Sequence, residues 1–431
     1  MSELSTQLAA ALPQNSGPGP GWVRALRDNG AAQFRAHGLP TRKDEAWKYT
    51  GLGLLDQAGV QLASDIETPV TESSHPAALV EAEFQINMLD GKWLDQCGKL
   101  PTGLTVFPLA DALDNEVSGL QALLESLPER QPKDGSTHGF TALNTATLDS
   151  GLLIHVAAGT DGGRLLINAR TTAGEKPRLF NTRLCVLLEQ DAKLELLEQF
   201  ESRNSNTCNI VVQADLDVGA SLQHIRFQQE SEESVLITRT EVSQQANSEY
   251  NYYGFDLGGG LVRHDLHTSL LGSGAKTGLN GAYLLDGNRH VDNHARVDHI
   301  APGGLSDQYF RGVAGGSGKA VFNTAVCVHP GADETEARQS NANILLSARA
   351  EIDTKPELEI YADEVVASHG ATVGQLDEQA VFYMRSRGLG EKEARQLLTT
   401  AFCQSVSDKL ADPVLSEVIL QRMMDVMPHA E

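Results

Sequence analysis

From about residue 150 to 365 the chain is a succession of short β-rich runs, each closed by Gly, Asn, Asp or Ser. Among them are LLIHVAA, RLLINAR, KLELLEQF, NIVVQADLDV, SVLITRTEV, KAVFNTAVCV and ELEIYAD. Turn-forming residues recur near Gly272, Gly287, Gly303, Ser317, Gly331, Ser347 and Asp363, at intervals of roughly 14 to 16 residues. So even an interval suggests a β-solenoid whose rungs stack, with apolar residues inward. A β-sandwich also produces many short strands, so the spacing by itself leaves both open. A solenoid has free edges at its ends, which must be capped or paired.

The flanks differ in character. Residues 1–60 read as helical: WVRALRDNGAAQFRAHG spaces Trp22, Leu26 and Phe34 loosely at a helical period, and Gly38-Leu39-Pro40 ends the segment. In EAWKYT, Trp47 and Tyr49 read as aromatic anchors pinning this region to the body. Residues 61–80 read as a loop, Phe84–Trp93 as a hairpin turning at Asp90-Gly91, and Thr105–Leu109 as a strand. A helix over Ala110–Leu127 and a loop over PERQPKDGSTHG follow. In the tail, Ala394, Leu397, Leu398, Ala401 and Phe402 fall at i, i+3, i+4, i+7 and i+8, and Asp412-Pro413 starts another helix. The expected division is a mostly helical region over 1–145, a β core over 146–374 and a helical tail over 375–431.

Lys+Arg number 34 and Asp+Glu 57, a net charge of −23. Such a surface repels phosphate backbones, which argues against nucleic acid and anionic membranes as partners. No apolar run approaches the roughly 20 residues that span a bilayer, and the first residues lack a basic segment before a long apolar one. The expected compartment is the cytoplasm. The five cysteines (Cys97, Cys185, Cys208, Cys327 and Cys403) are scattered with no C-x-x-C pair. That argues against a disulfide framework and against a cluster held by a compact cysteine motif.

Glu351–Gly388 joins the β-rich body to the tail. PELEIYADEVVAS alternates, with Leu358, Ile360 and Ala362 on one parity, and reads as one half-buried strand. SHGATVG follows and places His369 where that strand ends, a position usually filled by a satisfied turn. Asp377 caps a helix that stops at Gly388, with Arg385 and Arg387 in its last turn.

DTKPELEIYADEV, SHGATVG, FYMRSRG and EARQLLTTAF, with EAWKYT upstream, resemble the SufB/SufD family of iron–sulfur cluster assembly scaffolds, and its SufD-type members more closely. The resemblance runs in order from about residue 40 to 405. It implies a right-handed parallel β-helix flanked by helical domains, acting as a non-catalytic subunit. It also implies a SufB-like partner, a SufC-like ABC-type ATPase docked on the helical tail, and a nascent iron–sulfur cluster or iron at a shared subunit interface. His369 is the implied metal ligand. Many relatives carry Cys two residues before this histidine, where this chain has Ala367. The imidazole is therefore expected to be completed by Cys or Glu from the partner. Tyr383, Arg385 and Arg387 are candidates for a partner-facing surface, against plain helix packing. A flavin in the assembled complex, and a homodimer of the isolated chain, are left open.

GNRHVDNHARVDHI places His290, Asp292, His294, Arg296 and Asp298 on one face of a strand, where a solvated face is the expectation. Cys327 and His329 share parity, so a shared metal is conceivable, although a buried Cys more often packs as a small apolar group. The Gly-rich FDLGGGL and VAGGSGKAVF fit β-turn corners better than phosphate loops. Two rival readings remain: a β-helix carbohydrate lyase or hydrolase, weakened by an aromatic content of only 5%, and a homodimeric structural solenoid.

Overall fold

The computed structural model describes residues 2–13, 17–63, 78–129, 139–202 and 204–428. The loops expected over 61–80 and in PERQPKDGSTHG fall mostly outside them. The core is a parallel β-solenoid of about eight turns over 151–374, and each turn contributes one strand to each of two sheets. At its late end the first sheet runs through Leu261–Leu270, His290–His299, Lys319–Val328 and Glu351–Ile360. The second runs through Lys276–Leu285, Leu305–Ala314, Glu336–Leu345 and Val366–Gly374. Leu261 lies opposite His290, and His290 opposite Lys319, so one full turn takes about 29 residues. The 14-to-16-residue interval in the sequence is half of this turn.

Side chains of one parity from both sheets fill the space between them. Val291, Ala295, Val297, Phe310, Phe322 and Val326 belong to this interior. The opposite parity faces outward, and much of it is covered by other parts of the chain. On the first sheet, Leu179, Val235, Ile237 and Leu261 pack under N-terminal residues including Leu8, Phe34, Trp47 and Phe140. On the second, Ile225, Phe255, Leu284 and Val313 pack under Cys403, Val406, Leu415 and Ile419 of the tail. The helical regions thus cover opposite faces of the solenoid instead of plugging its ends. Polar ties fix the tail: Arg164 Nη2 donates to Asp412 at 2.6 Å, and Tyr253 OH to the Lys409 carbonyl at 3.0 Å.

The N-terminal region is mixed. The hairpin Phe84–Leu89/Lys92–Cys97 extends the second sheet, and Leu104–Pro108 pairs antiparallel with Gly151–Val156 to end the first. At the other end nothing among the described residues pairs with the far side of Glu351–Ile360 or Val366–Gly374.

The expected single strand through PELEIYADEVVAS is in fact two strands. Glu351–Ile360 ends, the chain turns at Tyr361–Val365 with Glu364 left-handed at φ 54, and Val366–Gly374 begins in the other sheet. His369 therefore lies inside a strand, not in a turn after one. The tail helices start at the expected caps: Asp377 accepts from Gln379 N, and Asp412 from Val414 N and Leu415 N. In Glu391–Ser407, however, Leu397 and Ala401 face outward, while Ala394, Thr399, Thr400, Cys403 and Val406 are buried. None of the helices among the described residues is long and apolar enough to cross a membrane.

Candidate functional site at the open end of the solenoid

Among the described residues, the last strand of the second sheet, Val366–Gly374, is bonded on one side only. Val366 N donates to the Thr335 carbonyl, so the alternation of a parallel ladder turns Ser368, Gly370 and Thr372 toward the neighbouring strand. The N–H and C=O groups of Ala367, His369, Ala371 and Val373 point to the free side. The edge of the first sheet differs. Tyr361 N donates to the Val328 carbonyl, which places Pro356 among the residues facing outward, where a missing N–H costs nothing. Pro356 blunts one edge, and the other retains every donor.

His369 shares its parity with Ala367, which packs against the interior. Its register neighbours running inward are Gln339 and then Gln308. Gln339 donates to Thr324 Oγ1 at 3.2 Å, and Thr324 in turn donates to Gln308. His369 tops this polar column and is exposed because no further turn lies over it. The same edge carries exposed Tyr361 and Val366, 61% and 62% accessible. After a three-residue link from Gly374 the helix Glu378–Ser386 begins, with Val381 its one buried residue. Phe382 and Tyr383 project from it at 71% and 58% accessibility. Arg387 donates to the Tyr383 hydroxyl at 3.1 Å, and Arg385 pairs with Glu391 at 3.2 Å. These are exposed pairs that hold the side chains on the surface.

The face expected to be solvated is largely covered. Asp292 is buried, accepting from Arg263 and from Thr50 of the EAWKYT segment. Burial favours the neutral acid, yet Arg263 and His294 hold the Asp292 carboxyl far below the usual range. His290 Nε2 lies 2.9 Å from Thr50 Oγ1, and burial lowers the pKa of that imidazole. Arg263 stacks on the Trp47 ring at 4.0 Å, and Trp47 stacks on Phe140 at 5.7 Å. Trp47 is the anchor the sequence suggested, and Tyr49 is not, being half exposed. EAWKYT is thus a structural latch over this end of the first sheet.

The parity of Cys327 and His329 allowed a shared metal, but parity alone does not join Asp298 to them. Asp298, Cys327 and His329 bring one ligand atom each within 4.8 Å of the others. Asp298 and Cys327 are register neighbours one turn apart, and spacing by a full turn was the signal that could have joined them. Burial, with the Asp298 charge beside it, pushes the Cys327 thiol up to about 11.

The fold is a face-covered parallel β-solenoid with an exposed imidazole in an edge strand that has no strand partner on its far side among the described residues. Residues 169–402 match the family described as SUF system FeS cluster assembly, SufBD core domain, and residues 14–165 match the SufBD protein N-terminal region. The chain is 29% identical to the iron–sulfur cluster assembly protein SufD of Escherichia coli, over 97% of this chain and 99% of that protein. It is 30% identical to an iron–sulfur cluster assembly SufBD family protein of Synechocystis, over 86% and 84% of the two chains. Identity to the chloroplastic protein ABCI7 of Arabidopsis thaliana is 29%, over 95% and 86%. The chain belongs to the SufB/SufD family and is an iron–sulfur cluster assembly protein of the SUF system, similar to SufD.

Proposed function

We propose that this protein is a non-catalytic scaffold subunit that pairs through its open solenoid end with a SufB-like subunit and lends His369 to a nascent iron–sulfur cluster. One observation carries the reading: His369 stands exposed in an edge strand whose outward backbone groups have no strand partner among the described residues. Edge strands left so are pairing sites. A partner strand added there would extend the second sheet and close over the imidazole, moving it from the surface into a seam. Neutral imidazole is a good ligand to iron and can replace Cys in some clusters. Ala367 brings no thiolate, so the partner supplies the remaining ligands. On this reading iron and sulfide are the cargo of the assembly.

The tail over 375–431 would dock an ABC-type ATPase, with Tyr383, Arg385 and Arg387 on the docking surface. The helix bearing them is only three residues from the edge strand and has one buried side chain. A pull on it would reach the strand carrying His369 before it disturbed the helices pinned by Arg164 and Tyr253. The test is co-expression of His369→Ala with a SufB-like subunit and the ATPase. Complex formation should survive while the visible absorption of the cluster falls several-fold. Full cluster yield in that variant would remove His369 from the mechanism.

A further inference from the structure

We infer that Asp298, Cys327 and His329 form a binding site for a divalent transition metal on the outer face of the first sheet, separate from His369. Cys327 and Asp298 stand side by side on adjacent strands, and His329 follows two residues beyond Cys327 on the same outward parity. Their ligand atoms already lie within 4.8 Å of one another. A tetrahedral zinc-type site needs them only slightly closer, roughly 3.3 to 3.8 Å apart given bonds of about 2.0 to 2.3 Å. Glu359 is the next register neighbour of Cys327, one turn further along the first sheet.

The surroundings suit a metal. His329 Nε2 lies 2.9 Å from Asp298 Oδ1. The Asp298 carboxylate accepts from Arg296 on both oxygens, at 2.9 and 2.8 Å, and from His267 Nε2 at 2.5 Å. Groups that hold a ligating carboxylate in this way are the usual outer support of metal sites. His267 is itself held by Glu241 at 2.9 Å, and Arg239 pairs with Glu241. The carboxylate is therefore fixed in place, while the Cys327 and His329 donors adjust around it. Cys327 is buried, and the partly open His329 beside it gives a metal its route in.

Binding balances simply. The metal ion takes a lone pair of the Cys327 sulfur, whose proton leaves to solvent, and His329 gives up its contact with Asp298, its ring proton passing to Nδ1 as Nε2 takes the metal. One thiolate and one carboxylate face the dication, and the Arg296 guanidinium on the same carboxylate offsets part of that negative charge. A sulfur, a nitrogen and an oxygen donor select zinc or iron(II) over calcium or magnesium. This inference does not depend on the proposed role of His369, which faces the interior from the opposite sheet.

The experiment uses full-length protein stripped of metal with a chelator and titrated with Co(II). The expected result is one equivalent bound, with a thiolate-to-metal charge-transfer band in the near ultraviolet. Cys327→Ser should abolish the band, His329→Ala should weaken binding by more than about tenfold, and His369→Ala should bind like the wild type. No thiolate band in the wild type, or a band that survives in Cys327→Ser, overturns the site. Should Cys327→Ser fail to fold, His329→Ala at its partly exposed position decides, and unchanged affinity there also overturns it.

Discussion

A proline at residue 371 separates the free side of the last strand from its bonded side. Ala371 directs its N–H away from the neighbouring strand, whereas Gly370 directs its own toward it. Ala371→Pro therefore removes a donor that the isolated chain does not use, and Gly370 before it tolerates the restriction a proline imposes. In a complex paired along this edge the same change deletes one hydrogen bond, worth about 0.5–1.5 kcal/mol, and strands a partner carbonyl at about 1–3 kcal/mol more. Together these come to about 1.5–4.5 kcal/mol, a loss of about 10- to 1,600-fold in affinity. Gly370→Pro is the contrast, since it breaks the chain's own ladder. The assay is calorimetric titration of each variant with a SufB-like subunit, beside thermal unfolding of each variant alone. Ala371→Pro should bind far more weakly at nearly unchanged unfolding temperature, and Gly370→Pro should lower that temperature. Undiminished binding by Ala371→Pro would refute pairing along this strand.

Two further outcomes test the interior. Glu198 is fully buried and accepts from Arg226 Nη2 and His224 Nε2, each at 2.7 Å. Glu198→Ala leaves an uncompensated guanidinium in the solenoid and should cost about 3–5 kcal/mol by denaturant unfolding. Replacing Glu198 and Arg226 together with apolar residues of similar volume should recover most of it. Glu230 is the opposite case: burial, reinforced by nearby Glu201, pushes its carboxyl up to about 8. The folded state then keeps a proton that the unfolded chain releases near pH 4.5, so stability falls as pH rises from there to about 8. Glu230→Gln, measured by unfolding across that range, should match the wild type near pH 4 and exceed it increasingly toward pH 8. A constant difference would contradict the shift.

The sequence carried the repeat because turn residues must sit at solenoid corners whatever the rungs contain. It carried the caps as well, since Asp377 and Asp412 act through bonds to their own next residues. At Tyr361–Val365 it held two conflicting signals: the turn interval falls on Asp363, while the strand pattern runs on toward it. Alternation through Leu358, Ile360 and Ala362 runs into that corner, and Glu364 takes a left-handed conformation without the glycine that would have signalled it. The charged face of His290–His299 looked solvated because alternating charges read the same under water or under protein. What covers Asp292 is Thr50, distant by 242 residues. Asp298 and Cys327 belong to different rungs, and only counting by a whole turn brings them together. His369 was legible as a residue through the family resemblance, but its position at the mouth of the interior follows from the register with Gln339 and Gln308.

The most direct measurement of the central claim is pulsed electron paramagnetic resonance on the reduced cluster of the assembled complex, with this subunit alone carrying nitrogen-15 histidine. Coupling to a labelled imidazole nitrogen that vanishes in His369→Ala is the predicted result. A cluster that shows no such coupling, or keeps it in the variant, contradicts the account.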